Sequence, residues 1–121
     1  MSESNILNAR IESTRLGFEH SALTCWLMLD YGGTGQGFGG IVLDDVPAER
    51  KPGFERRGMA FGSEAIMRIL RVVGVDAWEK LPGQYVKAKY THGKVLAIGN
   101  ILQDRWFSFD ELCAEFYPEP K

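Results

Sequence analysis

The chain has 121 residues, of which 45% are hydrophobic and 25% are charged, and its formal net charge is −2. These values fit a single globular domain, residues 1–121, built around one hydrophobic core. Broad binding to a nucleic-acid backbone requires a basic surface, which this composition does not offer. We therefore expect no polymeric nucleic acid as a partner, while one small phosphate pocket remains compatible with the charge.

The termini and the cysteines show no sign of export, a membrane anchor or a metal site. Met1–Asn5 lacks the basic and apolar segments of a signal peptide, and no apolar run approaches the ~20 residues of a membrane span. We therefore expect a cytoplasmic protein with flexible ends at 1–5 and 118–121. Cys25 and Cys113 predict free thiols, with Cys25 buried. No CxxC or HxxxH spacing is present, so we expect neither a metal nor a cofactor.

The first half of the chain predicts an antiparallel meander. Apolar alternation and turn residues place its strands and turns at Ile6–Arg15, Gly17–Ser21, Ala22–Tyr31, Gly32–Gly35 and Gly37–Asp44. The segment Ala22–Tyr31 is the richest in apolar and aromatic residues. We expect it to be a central strand with Trp26 buried.

The second half predicts helices and further strands around a basic loop, Val46–Gly58. The main helix is expected at Met59–Val73, with a Glu64–Arg68 pair and Gly74 just past its end. The later elements are a helical turn capped by Asp76, a turn at Pro82–Gly83, a strand at Gln84–Thr91, a tight turn at His92–Gly93, an ambiguous segment at Lys94–Leu102, and a short helix at Phe109–Phe116 capped by Ser108. The fold class is therefore α+β: an N-terminal antiparallel sheet with a glycine-rich hairpin, packed on the helix at 59–73.

Six of the ten residues in Tyr31–Gly40 are glycine. The stretch Gly35–Gly40 matches the pattern GxGxxG, but a dinucleotide site requires a helix after it, and Ile41–Leu43 reads as a strand. Two interpretations stay open. The run is either a bulged hairpin or a binding element in which Tyr31, Gln36 and Phe38 offer stacking and hydrogen bonds.

The residues that usually carry catalysis form no recognisable set. His20 and His92 are the only histidines, no Ser/His/Asp spacing is visible, and the pair Asp44–Asp45 reads as a solvated loop. We predict no catalytic residues. The basic run Arg50–Arg57 has two interpretations: a solvated face, or a phosphate site formed by Arg56 and Arg57 where they directly precede the main helix. The pattern therefore favours binding of a small nucleotide-like ligand over chemistry.

Four segments of the chain carry a resemblance to a known family: Ala9–Thr14, Leu29–Gly40, Val72–Gly83 and Ala97–Leu102. In these the chain resembles the phage-encoded Thoeris anti-defence proteins of the first described type. The glycine run Leu29-Asp-Tyr-Gly-Gly-Thr-Gly-Gln-Gly-Phe-Gly-Gly40 is the most specific part.

The resemblance implies a sponge in the host cytoplasm. Such proteins hold a cyclic ADP-ribose isomer made by bacterial TIR-domain defence proteins without cleaving it, and some also hold cyclic oligonucleotides. It further implies a homo-oligomer with sites at subunit interfaces. The ligand-binding residues implied by position are Tyr90 and Asn100, followed by Phe38, Gln36, His92 and Arg105, while Arg57 follows from the phosphate argument alone. The alternatives are a small cyclic-nucleotide hydrolase that uses His92 and an inhibitor that contacts a host protein.

Overall fold

The computed structural model describes residues 5–118. Its elements are β1 (Asn5–Glu19), β2 (Ala22–Asp30), β3 (Gly35–Val42), β4 (Asp44–Asp45), β5 (Arg57–Gly58), α1 (Ala60–Val73), a 3₁₀ turn (Trp78–Lys80), β6 (Tyr85–Thr91), β7 (Lys94–Gly99), β8 (Trp106–Phe107) and α2 (Phe109–Phe116). The predicted flexible ends lie outside the described residues, apart from Asn5, which begins β1, and Pro118.

A six-stranded antiparallel sheet in the order β3-β2-β1-β6-β7-β8 forms the body of the fold, and a separate ladder joins β4 to β5. The α+β class and the N-terminal meander with its glycine-rich hairpin are confirmed. Strand β2 lies inside the sheet, between β3 and β1, as its composition predicts.

The sheet curls because β1 pairs with two different neighbours. Its first half pairs with β6 and its second half with β2, and the register shifts by one residue between Ile11 and Ser13. Such a bulge bends and twists a strand. As a result β3 approaches β7, to which it is not hydrogen-bonded, and the two run in the same direction.

Both helices pack on the inner side of the curled sheet. Phe61, Ala65 and Ile69 of α1 enter the core beside Leu112 of α2 and the inward side chains of β1 and β2. The predicted Glu64–Arg68 pair is present at 2.7 Å, and Arg68 also binds Glu115 of α2 at 2.7 Å. Gly74 ends α1 at φ 94°, as predicted. Ser108 caps α2 by accepting from the Glu111 N–H at 3.2 Å.

Several boundaries differ from the sequence-based prediction. Strand β1 continues through Gly17 to Glu19, so the first turn is only His20–Ser21, both at positive φ. Asp76 does not cap the 3₁₀ turn but pairs with Lys80 at 2.7 Å. The ambiguous segment forms a strand only to Gly99.

The glycines of strand β3 form the surface against which the Trp26 side chain packs. Trp26 of β2 lies partly exposed on the outer side of the sheet, and a Cβ on Gly37 would come within 2.9 Å of its ring. Gly40, at φ 78°, lies under the other end of the same indole. The prediction of a buried Trp26 is therefore wrong: side chains alternate across a strand, and the inward positions of β2 belong to Cys25 and Leu27.

Replacing Gly62 by alanine should destabilise the fold. A Cβ at this position would overlap the Leu43 carbonyl oxygen, where α1 meets the end of the meander. We expect the free energy of unfolding to fall by about 1–3 kcal/mol, although alanine is favoured over glycine in a helix by about 1 kcal/mol. Urea unfolding measures this. The exposed neighbour Ser63→Ala is the control, and a Gly62→Ala variant as stable as that control would contradict the close approach.

Candidate functional site

Three polar or aromatic side chains from separate parts of the chain lie towards one end of the curled sheet. Tyr31 follows β2, Gln36 lies in β3 and Tyr90 lies in β6. The rings of Tyr31 and Tyr90 have centroids 6.0 Å apart and are tilted by 30°. The Gln36 Nε2 atom lies 3.7 Å from the position of a Cβ on Gly93. The approach of β3 to β7 thus brings together residues that are far apart in the chain.

Two buried polar atoms in this cluster lack a partner. The Tyr31 Oη and Gln36 Oε1 atoms are shielded from solvent, and neither has a hydrogen-bond partner among the residues that the structure describes. An unsatisfied buried polar group costs about 1–3 kcal/mol, so such groups are rare in native folds. Burial, with a smaller contribution from the Tyr90 phenol, raises the pKa of Tyr31, which keeps its hydroxyl protonated. Tyr31 therefore offers a buried donor and Gln36 a buried acceptor, each without a partner among the residues that the structure describes.

His92 lies at the turn next to this cluster. It is exposed and adopts φ 49° in the two-residue turn with Gly93, as the predicted tight turn requires. No hydrogen bond or ion pair joins His92 to a carboxylate within residues 5–118. In the same part of the chain, no three His, Cys, Asp or Glu side chains are grouped so that they could hold a metal ion.

Phe38, a predicted ligand residue, lies in the hydrophobic core. Its side chain is 3% exposed, and its ring centroid is 5.2 Å from that of Phe109 and 6.1 Å from that of Phe107. These contacts join β3 to α2 and β8. Phe38 therefore stabilises the curled shape of the sheet.

Asn100 and Arg105 bind the C-terminal end of α1. Asn100 donates from Nδ2 to the Val72 carbonyl at 2.8 Å, and Arg105 donates from Nη2 to the Arg71 carbonyl at 2.7 Å. The Asn100 Oδ1 atom also accepts from the Leu102 N–H at 2.8 Å. These bonds satisfy carbonyls that a helix end leaves unpaired. The structure thus gives both residues a role in the fold and places neither in the tyrosine cluster.

Arg56 does not belong to a phosphate site. It donates from Nε to Asp44 Oδ2 at 2.9 Å, and Asp44, only 5% exposed, also accepts from the Leu23 N–H. The interpretation of Asp44–Asp45 as a solvated loop is therefore wrong at Asp44, which ties β4 to the loop and to the start of β2. The Arg56 hydrogen bond holds the pKa of Asp44 below its ordinary value.

Arg57 pairs with Asp45 in the β4–β5 ladder near the start of β2, whereas Tyr31 follows the end of β2. It lines an open hollow of about 860 Å³ together with Lys51, Phe54 and Met59. Helix α1 begins there without a side-chain cap and without an acidic residue in its first turn. Arg57 has no ion pair within residues 5–118, so its charge is available to a ligand. The hollow contains none of the other predicted ligand residues, so Arg57 would act apart from them.

Of the seven predicted ligand residues, Gln36 approaches the β6–β7 turn that contains His92, and Tyr90 lies in the strand leading into that turn. Tyr31 completes the group. It was visible in the sequence as the aromatic residue that opens the glycine run, although the family resemblance did not point to it.

No protein-family model, curated protein or solved structure matches this chain. Neither helix found within residues 5–118 has the length and apolar character needed to cross a membrane.

Removing the Tyr31 hydroxyl should stabilise the ligand-free protein. Tyr31→Phe deletes a buried group that has no partner, so we expect the free energy of unfolding to rise by about 1 kcal/mol. Tyr85→Phe, at a side chain that is 59% exposed, is the control and should change little. A loss of stability in Tyr31→Phe would show that the hydroxyl is hydrogen-bonded in solution.

The Asp44–Arg56 pair should make stability depend on pH. Because the folded pKa of Asp44 is lowered, its contribution is complete above about pH 4, the ordinary range of aspartate, and is lost as pH falls through the folded pKa. We expect wild type to be more stable than Asp44→Asn at neutral pH, with the difference shrinking towards pH 2.

Chemical unfolding between pH 7 and pH 2 measures this, with the exposed neighbour Asp45→Asn as the control. A difference between wild type and Asp44→Asn that stays constant across this range would contradict the assignment.

Proposed function

We propose that this protein sequesters a cyclic nucleotide immune signal, a cyclic ADP-ribose isomer, in the cytoplasm of an infected cell and holds it without cleaving it. The observation that supports this most directly is that Tyr31 Oη and Gln36 Oε1 are buried without a partner, with the Tyr31 ring centroid 6.0 Å from that of Tyr90. The resemblance of the glycine run to Thoeris anti-defence proteins supplies the ligand class.

The chemistry of this cluster suits a nucleobase. An aromatic ring that stacks on a base contributes ~1–3 kcal/mol. The base edge would donate to Gln36 Oε1 and bond with the Tyr31 hydroxyl, which removes the cost of leaving these atoms unpaired. Both atoms are covered in the single chain. Binding therefore requires side chains of this cluster to move.

Tight binding without turnover is what a sponge needs. A nanomolar dissociation constant corresponds to about 12 kcal/mol, which one stacked base and two hydrogen bonds do not supply alone. We therefore propose that further contacts come from a second copy of the chain, so that the site lies at a subunit interface of a homo-oligomer. Native mass spectrometry with and without ligand gives the number of chains and ligands in the complex.

Purified protein should bind a cyclic ADP-ribose isomer in calorimetry and return it unchanged after heat denaturation, as judged by mass spectrometry. Recovery of a hydrolysed product, lost in His92→Ala, would replace this proposal with a hydrolase. Absence of any nucleotide binding, together with one stoichiometric host protein in a pull-down, would favour an inhibitor that acts by surface contact.

Tyr90→Ala should weaken binding of the isomer by roughly 5- to 100-fold, the equivalent of ~1–3 kcal/mol of stacking. Tyr85→Ala is the matched control, because Tyr85 belongs to the same strand but points outwards. Circular dichroism confirms that each variant is folded. Equal affinities for Tyr90→Ala and Tyr85→Ala would show that the ligand binds elsewhere.

A further inference from the structure

Strand β1 has a free backbone edge along its second half. Its pairing with β6 covers Asn5–Arg10 and is extended by Ile11, which bonds with the backbone of Gly83 and Gln84. Beyond this point, as far as Glu19, the strand pairs only with β2 on its other side. Among the residues that the structure describes, no strand is hydrogen-bonded along the free edge. An open edge of this kind is a template for a strand of another chain.

Leu16 and Phe18 direct their backbone groups towards this edge. Leu23, the β2 residue opposite Phe18, has its N–H bonded to Asp44 and its C=O bonded to Leu43, and so neither group bonds with β1. Because backbone groups alternate between the two edges of a strand, those of Phe18 and Leu16 face away from β2. Each of the two residues therefore presents an N–H and a C=O to a strand that arrives at this edge.

The side chains of these two residues are apolar and exposed. Leu16 is 42% exposed and Phe18 is 67% exposed. An open hollow of about 550 Å³ lies beside Phe18, and the exposed ring of Phe54 forms part of its wall. A strand that pairs with the edge would remove this apolar surface from water, so burial and backbone hydrogen bonding favour the same contact.

The sequence of the edge, Arg15-Leu-Gly-Phe-Glu19, is complementary to itself when two copies run antiparallel. With Gly17 of both copies at the twofold axis, Arg15 lies opposite Glu19 and Leu16 lies opposite Phe18. Each Leu16–Phe18 pair would exchange both of its backbone hydrogen bonds. Side chains alternate across a strand, so opposite charges meet on the outer side of the sheet and apolar groups meet on the inner side.

The charges select this register over its neighbours. A twofold axis at Arg15 would set two arginines opposite each other, and an axis at Glu19 would do the same with two glutamates, which is unfavourable. An axis at Leu16 or Phe18 would leave neither charge opposite one of the other sign. Of the five residues, only Gly17 at the axis gives both charges of each copy an opposite partner.

Arg15 and Glu19 have unused hydrogen-bonding capacity for this contact. In the single chain, Arg15 donates from Nη2 to the Phe18 carbonyl at 2.8 Å, which leaves its other N–H donors for a partner. Glu19 accepts from Trp26 and Thr24 through Oε1, and its Oε2 atom has no partner within residues 5–118. Neither side chain forms an ion pair in that part of the chain. On pairing, the Phe18 carbonyl accepts from a backbone N–H and Arg15 turns to Glu19 of the second copy.

We propose that two copies of this chain associate through β1, edge to edge and antiparallel about Gly17, so that their sheets join into one. The surface is the same on both copies, as a twofold interface requires. It is separate from the subunit interface proposed for the ligand, since Tyr31 follows the end of β2 that lies away from Leu23. The pair of chains forms without ligand, so a test on ligand-free protein distinguishes its failure from a failure of the proposed function.

Sedimentation velocity of ligand-free protein over a concentration series is the test. Wild type should associate into species with an even number of chains, the smallest with twice the 13.6 kDa mass of one chain. Arg15→Glu and Glu19→Arg should each weaken this association by roughly 10-fold or more, because both cross-strand charge pairs of the dimer change from opposite to like charge. Arg50→Glu, the same change of charge at an exposed loop residue, is the control and should associate as wild type does.

Mixing the two charge variants tests the register itself. In a mixed dimer of Arg15→Glu with Glu19→Arg, each altered or native charge of one copy faces the opposite charge on the other. The equimolar mixture should therefore recover the pairing that each variant loses alone. The two positions are roughly 13 Å apart along one strand, so a contact within one chain would not produce this recovery.

A wild type that stays monomeric would overturn the proposal and leave the edge to a strand of another protein. Charge variants that associate as strongly as Arg50→Glu, or a mixture that gains nothing over its components, would overturn it as well. Should a charge variant fail to fold by circular dichroism, Phe18→Ser decides the question, because this side chain is 67% exposed and its loss should weaken association alone. Unchanged association of Phe18→Ser would then reject the proposal.

Discussion

The pairing of one long strand with two neighbours determines where everything else lies. Strand β1 joins β6 through its first half and β2 through its second, and the register shift between Ile11 and Ser13 turns the sheet between the two halves. The turn brings β3 towards β7, which places Gln36 beside Gly93 and Tyr31 beside Tyr90. Trp26 lies on the outside for a separate reason, the alternation of side chains along β2.

Much of the fold was predictable because local rules and tertiary packing agree. The apolar stripe of α1, Gly74 after its end and the Ser108 cap of α2 appear where the sequence places them. The glycine run illustrates the limit. Its composition left a bulged hairpin and a binding element open, and the structure explains Gly37 and Gly40 by the indole that lies on them. The spacing of residues along the chain does not predict a contact of this kind, in which a side chain of one strand packs on glycines of the next.

The candidate site was predictable by residue type but not by position. Gln36 approaches Gly93 because the sheet curls, and the curl depends on a one-residue bulge that periodicity does not reveal. Asn100 and Arg105 look like ligand groups in the sequence, yet they satisfy carbonyls at the end of α1. The sequence suggests a solvated charge at Asp44 and a phosphate ligand at Arg56, because it does not show that β4 and β5 pair.

The central claim is that the buried Tyr31 and Gln36 atoms are the recognition atoms of a nucleotide-binding site. A crystal structure of the protein with a cyclic ADP-ribose isomer tests it most directly. The account predicts the base against Tyr90, with a donor within hydrogen-bond distance of Gln36 Oε1 and a base atom bonded to Tyr31 Oη. Ligand density confined to the hollow beside Arg57, with the tyrosine cluster unchanged, would contradict it.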